Sequence, residues 1–319
     1  MPSLSLGTSS TPAPTTFSHL LDALQARPQP ALVYYSREAS PRDDEAASGH
    51  SEQRVELSGR VLQNWTVKLI GLLLDEADLQ AGDVVLIDTD VHWKSLAVAL
   101  AASALGCEVQ LGFAADADYA LVVTDDPGSW QDSEALGQAE LAALSPGMLD
   151  SSFAASTGAD VPSWVLDVSA EVRQQPDQLL SPVPDVPLPE VALPPADADA
   201  PQGPSPASAA SSAPEAPGST GSPIVLLPDD DDVVARFADL RRWRPLRWGT
   251  AALPELLAAW GAHQPVVCLD GAQHVGAVGA ADESTASASA GDSGVSSGED
   301  AAGAAEPLWR VVRRNEGMS

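Results

Sequence analysis

The runs Val84-Val-Leu-Ile87, Ile224-Val-Leu-Leu227 and Val266-Val-Cys-Leu269 are apolar at every position. A strand with one face in water alternates apolar and polar residues, so uninterrupted runs belong to strands covered on both faces. Helical patterns lie between them. Phe17, Leu20, Leu21 and Leu24 recur at helical spacing, and residues 31–35 then read as a strand. Ser58 is placed to N-cap a helix whose apolar stripe is Val61, Leu62, Trp65, Leu69, Leu72 and Leu73. A further helix spans about residues 91–105 and stops at Gly106, with strands at 107–111 and 119–124. The class is α/β: a mostly parallel sheet with helices on both faces. The seven residues between Leu111 and Tyr119 are too few for a crossover, which needs a dozen or more, so those two strands are not expected to be parallel neighbours.

Proline punctuates the pattern. Between residues 176 and 223 stand 13 of the chain's 27 prolines, mixed with Ala, Ser and acidic residues and without an aromatic. Such a stretch buries too little apolar surface to offset its conformational entropy. The expected organisation is therefore a disordered N-terminus (1–14), a first α/β block (15–175), a disordered, acidic, Pro-rich linker (176–222) and a second block completing the same domain and sheet (223–270). A flexible acidic loop (271–306) and a terminal strand and tail (307–319) follow. Residues 36–53 read as a surface loop.

Charge narrows the partners. Sixteen Lys and Arg stand against 45 Asp and Glu, a formal charge of −29, which argues against nucleic acid or an anionic membrane surface as a partner. The longest apolar run, residues 96–105, is far short of the ~20 residues of a membrane span. Cys107 and Cys268 sit in strand-like settings, and two buried free thiols suit the cytoplasm.

Taken in order, Val55-Glu-Leu-Ser-Gly-Arg-Val-Leu62, a long amphipathic helix, Leu79-Gln-Ala-Gly-Asp-Val-Val-Leu-Ile87, Val91-His-Trp93 and Ala99-Leu-Ala-Ala-Ser-Ala-Leu-Gly-Cys-Glu-Val109 form a series. This series resembles the N-terminal subdomain of the adenylate-forming superfamily, the acyl-CoA synthetases and AMP-dependent ligases. The similarity covers about residues 16–125, with a weaker echo over 224–270. It implies ATP, AMP or CoA, or an acyl group, as ligand. In that family a Ser/Thr/Gly-rich loop with a Lys embraces the ATP phosphates, and a C-terminal domain brings a catalytic Lys. Here the only lysines are Lys68 and Lys94, both in scaffold helices, and about 49 residues follow Asp270.

The string Gly218-Ser-Thr-Gly-Ser-Pro223 has the order of the family's phosphate loop, with Ile224 where the Lys belongs. Gly218, Ser219, Thr220 and Gly221 are thus candidate anion-binding residues, against an accident of linker composition. The only basic cluster offers Arg241, Arg242, Arg244 and Arg247 beside Trp243 and Trp248, able to fork onto anionic oxygens or to pair internally with residues 229–232. No catalytic residue and no metal ligand is assigned. The expectation is a truncated, ligase-like protein acting as a ligand-binding or interaction module. Two alternatives stand beside it: an active AMP-dependent acyl-CoA synthetase with a divergent phosphate loop, and an interaction protein whose acidic linker recruits a basic partner.

Overall fold

The computed structural model describes residues 12–37, 52–112, 117–147, 149–191, 223–231, 234 and 244–270. The strands are β1 (Pro30–Arg37), β2 (Glu52–Ser58), β3 (Val84–Asp88), β4 (Glu108–Leu111), β5 (Leu121–Thr124), β6 (Glu140–Ala143), β7 (Leu166–Asp167), β8 (Ile224–Leu227), β9 (Arg244–Arg247) and β10 (Val266–Leu269). The helices used below are α1 (Phe17–Gln25), α2 (Gly59–Asp75), α3 (Trp93–Ala104), α4 (Pro127–Gln131), α5 (Phe153–Thr157), α6 (Val168–Glu171) and α7 (Leu253–Gly261).

These strands build two five-stranded sheets, not one. The first has the order β2-β1-β10-β8-β9 and the second β4-β3-β5-β6-β7. All pairings are parallel except that of the β1–β2 hairpin. The expected single sheet fails for a reason visible in α3: all twelve of its residues are buried, so it has no face to turn to water. One sheet covers one side of a helix, and the rest of α3 is covered by α2, whose Trp65 meets Trp93 edge-on, by α1 and by the core they share with the other sheet. Its cluster accordingly contains Leu32, Tyr34, Leu226 and Val266 of the first sheet together with Val85, Ile87, Leu121 and Val123 of the second. The outer face of the second sheet, Leu86, Val122, Leu141 and Ala143, is closed by Trp130 of α4 and Phe153 of α5. This double cover is why the strands read as unbroken apolar runs.

The second block completes the first sheet, because β10 lies between β1 and β8. β4 and β5 flank β3 on opposite sides and are not neighbours, as the short connection requires.

Several local expectations change. In α2 Ser58 accepts the Val61 amide at 3.3 Å as an N-cap, but Val61 itself is exposed, while Val67 and Ile70 take the buried stripe. The interval 36–53 gives its ends to β1 and β2, and residues 38–51 lie outside the described residues. Of the expected linker, residues 192–222 lie outside the described residues, but 176–191 do not behave as a linker. Leu179, Val183, Val186 and Leu188 pack against the main core, and Pro187 bridges to Thr16. Four apolar side chains in ten residues supply a contact face that the proline count concealed. The tail expected at 271–319, with its terminal strand, is also outside the described residues.

Candidate functional site

In open α/β sheets ligands bind beyond the carboxyl ends of the parallel strands. Here those ends meet from both sheets. The Trp248 indole, just after β9, donates to the Thr89 carbonyl beyond β3 at 2.9 Å, and Thr250 accepts the Leu111 amide at the end of β4 at 2.9 Å. The rim so formed carries carboxylates: Asp88 ends β3, Asp90 follows it, Asp125 follows β5 and Asp270 follows β10. Asp88 accepts the Trp130 indole at 2.7 Å, and Asp270 accepts the Ser36 hydroxyl at 2.9 Å.

The carboxylates feel one another. Burial raises the Asp125 carboxyl to about 6, reinforced by the charge of Asp90. Burial likewise raises Asp90, with the charges of Asp270 and Asp88 adding to it. The Tyr34 phenol is pushed up by burial and by Asp270. A rim of this sign repels a triphosphate.

Behind the rim lies a buried polar cluster at the start of α3. Lys94, 5% exposed, donates to Asp150 at 2.5 Å, to the Ser145 hydroxyl and carbonyl at 2.8 and 3.0 Å, and to the Ser169 hydroxyl at 3.3 Å. The Ser145 and Ser169 hydroxyls are bonded to each other. Burial would raise Asp150, but its hydrogen bonds from Lys94 and Ser145 outweigh that and hold it below the ordinary carboxylate value. The His92 imidazole caps α3 by accepting the Lys94 amide at 3.1 Å, and burial drops it to about 3, so it is neutral. The adjoining cavity, about 10 Å³ between Trp65, Lys94 and Ser169, has no room for a substrate. Burial lowers the Lys94 ammonium and its bond to Asp150 opposes that, so the cation is held beside its carboxylate in a site closed to solutes.

The other cations whose side chains are described also have internal partners, Arg60 and Arg173 at exposed positions. Lys68 bonds the Gln175 carbonyl at 2.5 Å and Asp177 at 2.7 Å. Arg27 is held by the carbonyls of Gln264 and Pro30, and Arg173 by those of Leu149 and Asp150. Arg54 meets Tyr35 and Glu56, and Arg60 reaches the Gln25 carbonyl at 3.4 Å.

Of the residues expected to bind an anion, Gly218, Ser219, Thr220, Gly221, Arg241 and Arg242 lie outside the described residues. Arg244 pairs with Glu255, and Arg247 with Asp229 at 2.9 Å and Asp231 at 2.5 Å. The two described members of the basic cluster are thus paired internally. The sequence did not reveal the Lys94 cluster, whose partners lie 51 to 75 residues away. A lone Lys opening an otherwise apolar helix was its one local sign. The rim had a plainer one, an Asp after each of three apolar strand runs. Among the described residues no group of three or more His, Cys, Asp and Glu is arranged to hold a metal ion, and no helix is long and apolar enough to cross a membrane.

No family model matches the chain, and no curated protein matches it. Solved structures do. Coronafacic acid ligase from Pectobacterium brasiliense is 11% identical over 82% of this chain and 46% of its own, with a TM-score of 0.46. The acyl-CoA synthetase of Brucella canis is 19% identical over 55% of this chain and 30% of its own, with a TM-score of 0.40. Acetoacetyl-CoA synthetase from Streptomyces lividans is 16% identical over 54% and 26%, with a TM-score of 0.37. The likeness is one of chain path. This chain spans less than half the length of each of these ligases, and at such identities no residue role is carried over from them.

Proposed function

We propose that this protein is a binding or interaction module on a scaffold of the adenylate-forming kind, and that it does not activate carboxylic acids with ATP. Nucleotidyl transfer works by positioning and by neutralising phosphate charge, so it needs cations that are free to face the nucleotide. The observation that carries the reading is the distribution of charge. Each of Arg27, Arg54, Arg60, Lys68, Lys94, Arg173, Arg244 and Arg247, the cations whose side chains are described, bonds an internal acceptor, while the strand-end rim, where a nucleotide would sit, presents Asp88, Asp90, Asp125 and Asp270. Two free buried thiols, Cys107 and Cys268, support a cytoplasmic setting.

The test is pyrophosphate release from ATP and Mg²⁺ with a panel of aliphatic and aromatic carboxylic acids, run beside a thermal-shift screen with ATP, AMP and CoA. No release above the protein-free blank is expected. A shift with AMP or CoA alone identifies a ligand-binding module, and no shift with any of the three removes them as ligands and favours the interaction reading. Stoichiometric or catalytic pyrophosphate release with any acid overturns the reading.

A further inference from the structure

Residues 175–191 cross the outside of the helix layer with almost no regular structure. Pro176, Pro182, Pro184, Pro187 and Pro189 have no N–H to give, and the segment makes an isolated bridge, Pro187 with Thr16, in place of a continuous ladder. It is held at two ends. At one, Lys68 of α2 donates to the Gln175 carbonyl at 2.5 Å and pairs with Asp177 at 2.7 Å. At the other, the Phe17 amide donates to Val186 at 3.0 Å and the Leu188 amide to Thr15 at 2.9 Å.

Between these anchors the fit is incomplete. Leu179, Val183, Val186 and Leu188 are only partly buried. A cavity of about 90 Å³ remains where Leu179 and Leu180 approach Val67, Ile70 and Leu74 of α2, and Leu180 is 83% exposed. Two glycines shape the seat. A Cβ on Gly71 would stand 2.7 Å from the Gln175 Oε1, and one on Gly106 3.3 Å from Val186 Cγ2.

We propose that residues 175–188 are a releasable strap, latched by Lys68, that lifts from α2 as a unit while both sheets stay folded. Segments with few backbone bonds and half-buried contacts open at lower free energy than the core beneath them. Here the core is α3 and the strands around it, buried throughout. Lifting the strap bares Val67 and Ile70, so whatever neutralises Lys68 would expose an apolar flank of α2.

Hydrogen exchange of the full chain, followed by mass spectrometry, tests this. Peptides reporting the Phe17 and Leu188 amides should exchange well before those reporting Leu86 of β3 and Val122 of β5. Lys68→Met should speed the first pair about tenfold, the effect of losing a partly exposed charge-assisted bond, and leave the second pair unchanged. Asp177→Asn, at an exposed position that cannot compromise folding, should move the same peptides in the same direction by a smaller factor. Equal acceleration of strap and core peptides, or none at the strap peptides in either variant, overturns the proposal.

Discussion

Replacing Lys94 by Met removes a buried ammonium and keeps most of its volume, which isolates the electrostatic consequence. In the native chain Lys94 donates to Asp150 Oδ1 at 2.5 Å and is the one cation on this carboxylate among the described residues, with the neutral Ser145 hydroxyl as a further partner, while Oδ2 is buried without one. The Asp150 side chain is 8% exposed, so without Lys94 the carboxylate would be held in the interior with no cation. Breaking such a pair by removing one partner costs about 3–5 kcal/mol, because the remaining charge keeps its desolvation penalty. The Ser145 and Ser169 hydroxyls lose a donor as well. Against a total of about 5–15 kcal/mol for a folded domain, that is about a fifth or more of the stability. Urea unfolding at about pH 7 should show it as a lower midpoint with an unchanged slope. The double variant Lys94→Met/Asp150→Leu should recover to within about 1–2 kcal/mol of the parent, since removing both charges removes the penalty. The deficit of the single variant should also narrow in acid. Asp150 lies below its ordinary value when folded, so its contribution is present above the unfolded value and fades as pH falls through the folded one. A single variant that loses less than about 1 kcal/mol, or a double variant no better than the single, refutes the reasoning.

The rim and the end of α3 give two further expectations. The Asp125 carboxyl is raised to about 6; its stabilising contribution is therefore full below about pH 4 and is lost as pH rises through about 6. The swing is at most about 3 kcal/mol, so the thermal midpoint should fall between about pH 4 and about pH 7, and Asp125→Asn should flatten that fall; an unchanged profile would show that Asp125 is not the titrating group. Gly106 has φ +84° and receives α3 in a Schellman cap, its amide bonding Ser103 at 3.0 Å and that of Cys107 bonding Ala102 at 3.1 Å. A Cβ there would also stand 3.2 Å from that of Ala81, so Gly106→Ala should cost about 1–3 kcal/mol in urea unfolding, and a neutral result would remove the cap from the account.

What was legible in the sequence follows from burial. β3, β5, β8 and β10 have all or nearly all positions covered, and such strands announce themselves as apolar runs. Others do not. β2, Glu-Gln-Arg-Val-Glu-Leu-Ser, is a charged edge, β9 carries a proline and two arginines, and β6 and β7 are too short to show a period. The apolar run from Leu96 to Ala102 in α3 marks a helix buried all round, but the division of the strands into two sheets depends on pairings up to 234 residues apart, such as Leu32 with Val266. The same distance hid the candidate site. Asp88, Asp125 and Asp270 each look like an ordinary strand end until the two sheets bring them to one rim. The strap was misread because composition registers its prolines and not the four apolar side chains spaced among them.

The place of β10 has a consequence for how the chain is made. It is the last described strand in sequence and the middle one in its sheet. Until the ribosome releases it, β1 has its hairpin mate on one flank and an open row of amides and carbonyls on the other, and β8 and β9, paired with each other, have no link to it. The nascent polypeptide must therefore carry a sticky, half-finished surface through most of its own translation. Closure of this sheet therefore waits on the arrival of β10, and a bare strand edge stands open until then.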